Sequence, residues 1–149
     1  MIIPPPPQQA YDLIKQFEGL RLQRYFDVDG YGTIGYGHLC HPNDGLINIS
    51  KETAENLLEQ DVMSAACSVI RLTDVYLNDD QYSALIDFVY NLGPGSYQRS
   101  TLRQKINRKQ FKDIYDEFRK WVYGNGKIIP GLLTRRKTEA YMFVRDYMG

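Results

Sequence analysis

The chain has no surplus charge of either sign. Eighteen Lys and Arg stand against eighteen Asp and Glu in 149 residues, so the formal net charge is zero. A dedicated nucleic-acid binder needs a basic excess to release counterions from phosphates, and that class is set aside. Cysteine is scarce too: Cys40 and Cys67 allow at most one bridge. Two free thiols are the expected state in a reducing cytosol. No uninterrupted apolar run reaches membrane-spanning length. Met1-Ile2-Ile3 followed by Pro4 to Pro7 has neither the basic start nor the apolar stretch of a secretory signal. The expectation is a soluble protein with no export address of its own and no membrane insertion.

What is present is ordinary for a globular chain, with 43% hydrophobic and 24% charged residues. One compact unit is expected, large enough to bury a core without disulfides or a structural metal. There is no internal repeat. Pro4 to Pro7 predict an extended polyproline II arm, read as a stiff leader rather than a proline-motif ligand. Ala10, Leu13, Ile14 and Phe17 recur at helical spacing over Gln9 to Glu18, and Gly19 is a natural stop.

Residues 22 to 38 change character. Aromatic and β-branched residues flank Asp29-Gly30, a strong hairpin signal. A small antiparallel sheet is expected here, with a third strand at Leu46 to Ile49. The rest reads as helical. Ser50 caps a helix running to about Ile70, long enough to connect two lobes. Asn78 with Gln81 forms a capping box for the next helix, which Gly93-Pro94-Gly95 ends. Ser100 starts a short helix, Phe111 to Val122 forms another, Gly124 to Gly131 is a loop, and Leu132 to Tyr147 is the last helix.

Three polar residues stand out by placement. Glu18 ends the first helix, Asp27 ends the first strand, and Thr33 lies on the returning strand. A hairpin folds Thr33 towards Asp27, and a tight helix-to-strand turn can bring both to face Glu18. Two carboxyls and a hydroxyl about one cleft suit glycosidic cleavage. One carboxyl gives a proton to the leaving oxygen, and the other, ionised, activates water. Glu18, beside Phe17, is the better proton donor; Asp27, near a polar turn, is the better base. Spacing alone leaves the plainer reading open, in which both are helix-end or turn carboxylates in solvent.

Further residues narrow the choice. The run Phe17-Glu18-Gly19-Leu20-Arg21-Leu22, then Tyr25-Phe26-Asp27, then Gly30 to His38 closely resembles the phage-type lysozyme family of tailed-phage endolysins. Two more blocks agree in order: Ala84 to Gly93 with Ser100-Thr101-Leu102, and Gly131-Leu132 with Arg135-Arg136 and Glu139. The resemblance covers roughly residues 10 to 145. It implies an α+β, mainly helical lysozyme-like fold, with a small N-terminal β-hairpin lobe joined by a long helix to a larger helical lobe. The active-site cleft lies between the lobes. The implied division is a proline-rich arm over 1–9 and a lysozyme domain over 10–149. Within that domain the sheet lobe covers about 10–50, the connecting helix about 51–71 and the helical lobe about 72–149.

The resemblance also implies a muramidase that hydrolyses the β-1,4 bond from N-acetylmuramic acid to N-acetylglucosamine. Glu18 would be the general acid, Asp27 the base and Thr33 a holder of the attacking water. The outcome would be inverting, which needs carboxyls about 6.5–9.5 Å apart. Leu39, Tyr90 and Ser100 are carried over as sugar-contacting positions, and no metal or organic cofactor is implied. The partner is bacterial peptidoglycan, the protein a monomer. As an endolysin it would wait in the host cytoplasm for a holin before reaching the periplasm and cell wall. A lytic transglycosylase or a non-catalytic peptidoglycan-binding module are the alternatives.

The family's usual basic character is missing, so Lys and Arg of the helical half are expected to face the sugar locally. Which of Arg135 and Arg136 approaches Glu18 stays open. Gly30 to Gly35 matches G-x-G-x-x-G but lacks the following helix that a dinucleotide site needs. Asp27-Val28-Asp29-Gly30 hints at a calcium loop whose twelfth position is His38 instead of Glu. His38, Cys40, His41 and Cys67 make a poorly spaced zinc set. The plainer readings are a His38 bonded to a carboxylate and a Cys67 in the core.

Overall fold

The computed structural model describes residues 2–27 and 30–148. The helices are α1 (Gln8–Glu18), α2 (Lys51–Leu72), α3 (Asp79–Leu92), α4 (Pro94–Arg99), α5 (Thr101–Asn107), α6 (Ile114–Arg119) and α7 (Pro130–Met148). The strands are β1 (Arg21–Phe26), β2 (Gly32–Gly35), β3 (His38–Leu39), β4 (Tyr123–Gly124) and β5 (Lys127–Ile128). The mainly helical α+β architecture expected from the sequence is the one observed.

β1, β2 and β3 form an antiparallel sheet with β2 central. Tyr25 pairs with Thr33, Phe26 with Gly32, and Thr33 in turn with Leu39. The third strand is thus His38–Leu39, not Leu46 to Ile49. The latter segment does lie antiparallel to β1, with a bridge at Gln23 and Asn48, the Arg24 N–H donating to the Ile47 carbonyl at 2.8 Å and the Ile49 N–H to the Leu22 carbonyl at 2.9 Å, but the pairing is too short to form a strand. Asp44 is the physical reason. Its carboxylate accepts the N–H groups of His41 (2.7 Å) and Leu46 (2.9 Å) and pairs with Arg24. A side chain that satisfies nearby backbone donors shapes a turn at the expense of a strand. Asp29 of the expected Asp29-Gly30 turn lies outside the described residues.

Ser50 accepts the N–H of Thr53 at 3.1 Å and caps α2 as expected. At 1.5 Å per residue its 22 residues reach about 33 Å, from the sheet to the helical core. The capping box is formed: Asn78 accepts from the Gln81 N–H and Gln81 from the Asn78 N–H. α3 is buried on all sides from Gln81 to Val89, which makes it the central helix of the core. Phe88 sits at its middle, edge-on to Tyr97, Phe118 and Trp121 with ring centroids 5.7–6.2 Å apart.

Several sequence expectations need correction. α1 packs mainly on α3, so it belongs with the helical part and not with the sheet segment. The proline arm ends at Pro7 and is docked: the Tyr82 hydroxyl donates to the Pro4 carbonyl at 2.8 Å, and Ile3 packs on the core. Phe111 to Val122 is not one helix. A 3-10 turn at Phe111–Asp113 precedes the six-residue α6, and Val122 already accepts a bond from the Ile129 N–H. The Gly124 to Gly131 loop contains the β4–β5 hairpin, turned by Asn125 (φ 51°) and Gly126 (φ 77°). α4 follows α3 at once, with Pro94 in its first turn where no donor is lost.

Cys67 is exposed, not in the core. Val62, Ala65, Ala66 and Val69 make the buried stripe of α2, and residue 67 lies off it. Cys40 and Cys67 are both free thiols. Among the described residues, His38, Cys40, His41 and Cys67 form no group arranged to hold a metal ion, and no helix is long and apolar enough to cross a membrane.

Candidate active site

α1 stops at Gly19, whose backbone (φ 69°) leaves the helical region, and this leaves Glu18 half-buried at the helix end. Arg135 of α7 reaches it: Nη1 donates to Glu18 Oε2 at 2.8 Å. The same guanidinium donates to both oxygens of Asp87 on α3, Nε to Oδ2 at 2.9 Å and Nη2 to Oδ1 at 2.7 Å. A planar fork met by two carboxylates has little freedom to turn. Arg135 therefore ties α1, α3 and α7 together beneath Glu18. The arginine left open by the sequence is settled, since Arg136 turns inward to Glu139.

Burial opposes the charge on Arg135. The bonds to Asp87 and the nearby Glu18 charge outweigh it and hold the guanidinium more firmly ionised than usual. Burial likewise pushes the Asp87 carboxyl up. Hydrogen bonds from Glu139 and Arg135, with both arginine charges, reverse this and hold it below the ordinary carboxylate range.

Glu18 Oε1 lies against Gly37. A Cβ placed on Gly37 would come within 2.6 Å of that oxygen, and the backbone there has φ +77°. Gly37 is thus a bare position on two counts. Its segment is pinned on either side. The Tyr90 hydroxyl of α3 donates to the Tyr36 carbonyl, and the Tyr36 hydroxyl donates to Glu55 of α2 at 3.0 Å. Lys15 of α1 joins Glu55 at 2.9 Å.

Asp27 and Thr33 form a second unit on the sheet. The Asp27 N–H donates to the Tyr31 carbonyl, and the Tyr31 N–H donates to Asp27 Oδ1, both at 2.9 Å. The carboxylate is thereby oriented at the end of β1. Thr33 is buried, at 7% exposure, and its hydroxyl donates to the Tyr25 carbonyl at 3.3 Å. With its proton so placed, the oxygen is an acceptor towards anything else.

A groove of about 360 Å³ lies between the sheet, α2 and α3, and none of Glu18, Asp27 and Thr33 is among the residues that line it. Gly37, His38, Leu39 and His41 form its sheet wall; Asp61, Ser64, Ala65 and Ser68 of α2 and Val89 and Tyr90 of α3 form the rest, closed by Gly93 and Pro94. A second hollow of about 410 Å³ on the hairpin, lined by Arg24, Phe26 and Tyr31 among others, shares Leu39 and His41 with the first. Glu18 sits at the end of the groove, against Gly37, and does not line its floor. Leu39, half exposed, and Tyr90 line the groove.

Ser100 does not fit a sugar-contacting role. It is 2% exposed; its hydroxyl donates to the Tyr97 carbonyl (2.7 Å) and accepts the Arg103 N–H (3.0 Å), which caps α5. Nor do Lys and Arg of the helical half line the groove, whose titratable residues are His38, His41, Asp61 and Tyr90. His38 Nδ1 lies 2.6 Å from Asp61 Oδ2. That bond pushes the imidazole above its usual value, against the opposing effect of burial. The sequence reading missed Asp87, Gly37 and Asp61. For Asp87 a signal existed: a lone carboxylate inside Ala84 to Val89, an otherwise apolar run.

A family model described as Phage lysozyme matches residues 15–139. An endolysin of Bacillus phage B103 is 40% identical over 139 residues, which is 92% of this chain and 53% of that protein. An endolysin of Acyrthosiphon pisum secondary endosymbiont phage 1 is 36% identical over 135 residues, 88% of this chain and 92% of that one. The chain therefore spans about half the length of the Bacillus phage relative and nearly all of the endosymbiont phage relative. The muramidase domain of SpmX from Asticaccaulis excentricus superposes with a TM-score of 0.82 at 29% identity, covering 93% of this chain and 97% of that one. With the lysozyme fold and the matched sequence blocks in agreement, the chain belongs to the phage lysozyme family.

Proposed function

We propose that the chain is a peptidoglycan hydrolase of the muramidase type. It cleaves the β-1,4 bond between N-acetylmuramic acid and N-acetylglucosamine for bacterial wall lysis at phage release. The observation that carries this reading is the fixing of Glu18. Arg135 engages Oε2, while Oε1 is directed at the bare Gly37 edge of the groove. The likeness to the muramidase domain of SpmX from Asticaccaulis excentricus supports the same chemistry.

Glu18 delivers its proton to the glycosidic oxygen from the helix side. Asp27, aimed by the Tyr31 N–H, accepts a proton from water on the sheet side. Thr33, already donating to Tyr25, accepts the water's second hydrogen. The water's lone pair is then turned towards the anomeric carbon, and attack opposite the leaving group inverts the configuration. One carboxyl must be protonated and the other ionised, so turnover has a bell-shaped dependence on pH. The chain acts as a monomer, and a holin gives it access to the wall.

The test is digestion of purified peptidoglycan by the native protein and by Glu18→Gln and Asp27→Asn. Hydrated reducing ends of inverted anomeric configuration are expected from the native protein, with both variants folded and inactive. Anhydro-muramic ends would make it a transglycosylase. Full wall lysis by E18Q would reduce it to a binding module, and near-normal turnover by D27N would remove the base assignment.

A further inference from the structure

The hydroxyl of Tyr90 has no task in the proposed reaction. Its ring lines the groove from α3, and its O–H donates to the Tyr36 carbonyl. Tyr36 and Gly37 form the turn between β2 and β3. This hydrogen bond therefore ties the helical wall of the groove, Val89 and Tyr90, to the sheet wall that runs from Gly37 to Leu39. Gly37 is also the residue against which Glu18 Oε1 lies. One bond from α3 thus reaches the piece of backbone that backs the acid.

Two other helices hold the same turn, but differently. The Tyr36 hydroxyl donates to Glu55 of α2, and Lys15 of α1 pairs with Glu55 and stands 5.2 Å from the centre of the Tyr36 ring. Both act on the Tyr36 side chain, which can turn about its own bonds. Lys15 and Glu55 are also each about a third exposed, where solvent weakens an ion pair. The Tyr90 bond acts on the backbone itself. Tyr36 is buried, so without that donor its carbonyl would be an unsatisfied acceptor, and the turn would have to shift to reach water.

We propose that the Tyr90 hydroxyl is a positioning group, which fixes the β2–β3 turn to α3 so that Gly37 backs Glu18 Oε1 at the end of the groove. Substrate meets the Tyr90 ring; the hydroxyl works through Tyr36 and Gly37. Burial, with the Asp61 and Glu18 charges behind it, pushes the phenol above its ordinary value, so it keeps its proton and remains a donor. The role rests on Glu18 being the acid of the proposed hydrolase.

The experiment compares Tyr90→Phe with Tyr82→Phe in the whole protein. Tyr82 is also a half-hidden phenol of α3 that donates to a backbone carbonyl, that of Pro4 at 2.8 Å, and neither residue lines the groove. Each variant loses one oxygen and one bond of the same kind. Since a misplacement near 1 Å costs up to about a hundredfold, Y90F should lose about tenfold or more in kcat on purified wall relative to Y82F, with KM within about threefold. Equal kcat in the two variants overturns the proposal. So does a raised KM with kcat unchanged, which would mean that the hydroxyl binds sugar. The hold on the turn is read without turnover from the Gly37 amide in NMR spectra, expected to move in Y90F and to stay in Y82F; an unmoved Gly37 signal in Y90F also overturns the proposal. A native protein inactive on wall would overturn the functional reading and the role with it, and the Gly37 signal would still report the hold on the turn.

Discussion

Gly37→Ala tests whether the bare backbone at the end of the groove is what lets Glu18 take its position. Two costs add. An L-residue at φ +77° carries roughly 1–2 kcal/mol of left-handed strain. Its Cβ would also stand 2.6 Å from Oε1 and 3.0 Å from the carboxyl carbon, where ordinary contact begins at 3.4 Å. The carboxyl must therefore retreat by about 0.8 Å, against the Arg135 bond that holds its other oxygen. A displacement near 1 Å costs about a hundredfold in rate, or about 2.7 kcal/mol of barrier. Gly126→Ala is the control. Gly126 has the same φ of +77° in the β4–β5 turn, with no atom within 4 Å of an added Cβ. Both variants should melt about 2–8 °C lower by circular dichroism, but only G37A should lose turnover, read as reducing ends released from purified wall. A kcat for G37A within threefold of G126A would refute the argument.

Three other outcomes follow from the same contacts. Asp87→Asn leaves Arg135 with one carboxylate and should destabilise the fold by about 3–5 kcal/mol. Because the native Asp87 carboxyl is held below its ordinary value, its contribution is present above about pH 3.9 and lost as pH falls through the folded value. Urea unfolding at stepped pH should show a flatter acid limb in D87N. His38 has the opposite sign. Its raised folded value makes the Asp61 pair stabilising in full below about pH 6.5 and lost as pH rises through the folded value. Imidazole NMR titration should show that shift, and Asp61→Asn should abolish it. Ser50→Ala removes the α2 cap and should cost about 1 kcal/mol in thermal unfolding with turnover retained.

The helices most legible in the sequence were those with strong local signals. Ser50 with Thr53, and Asn78 with Gln81, are short-range bonds that need nothing from the rest of the chain. The β4–β5 hairpin was equally local, since Asn125-Gly126 is a turn signal of the kind read at Asp29-Gly30, but only two residues pair on either side. Cys67 shows where periodicity fails at single-residue precision: one step of 100° around α2 moved it from the stripe of Val62, Ala65 and Val69 into solvent. Net charge concealed a segregation. Residues 99–137 hold twelve Lys and Arg against three Asp and Glu, and the remainder balances them. Even so, the groove is not lined by that basic segment.

Local patterning by itself determined the end of α1 at Glu18, the strand carrying Thr33, and the chemical types offered to the groove. It did so because caps, turns and alternation act over a few bonds. The tertiary structure alone decided which arginine meets Glu18, since Arg135 and Arg136 are chain neighbours that point about 100° apart on α7 and separate only once α7 packs against α3. It also decided that Asp87, 69 residues from Glu18 in the chain, is the anchor of that arginine. Burying charge makes such partners obligatory, and no local rule says where in the chain a buried charge will find its partner.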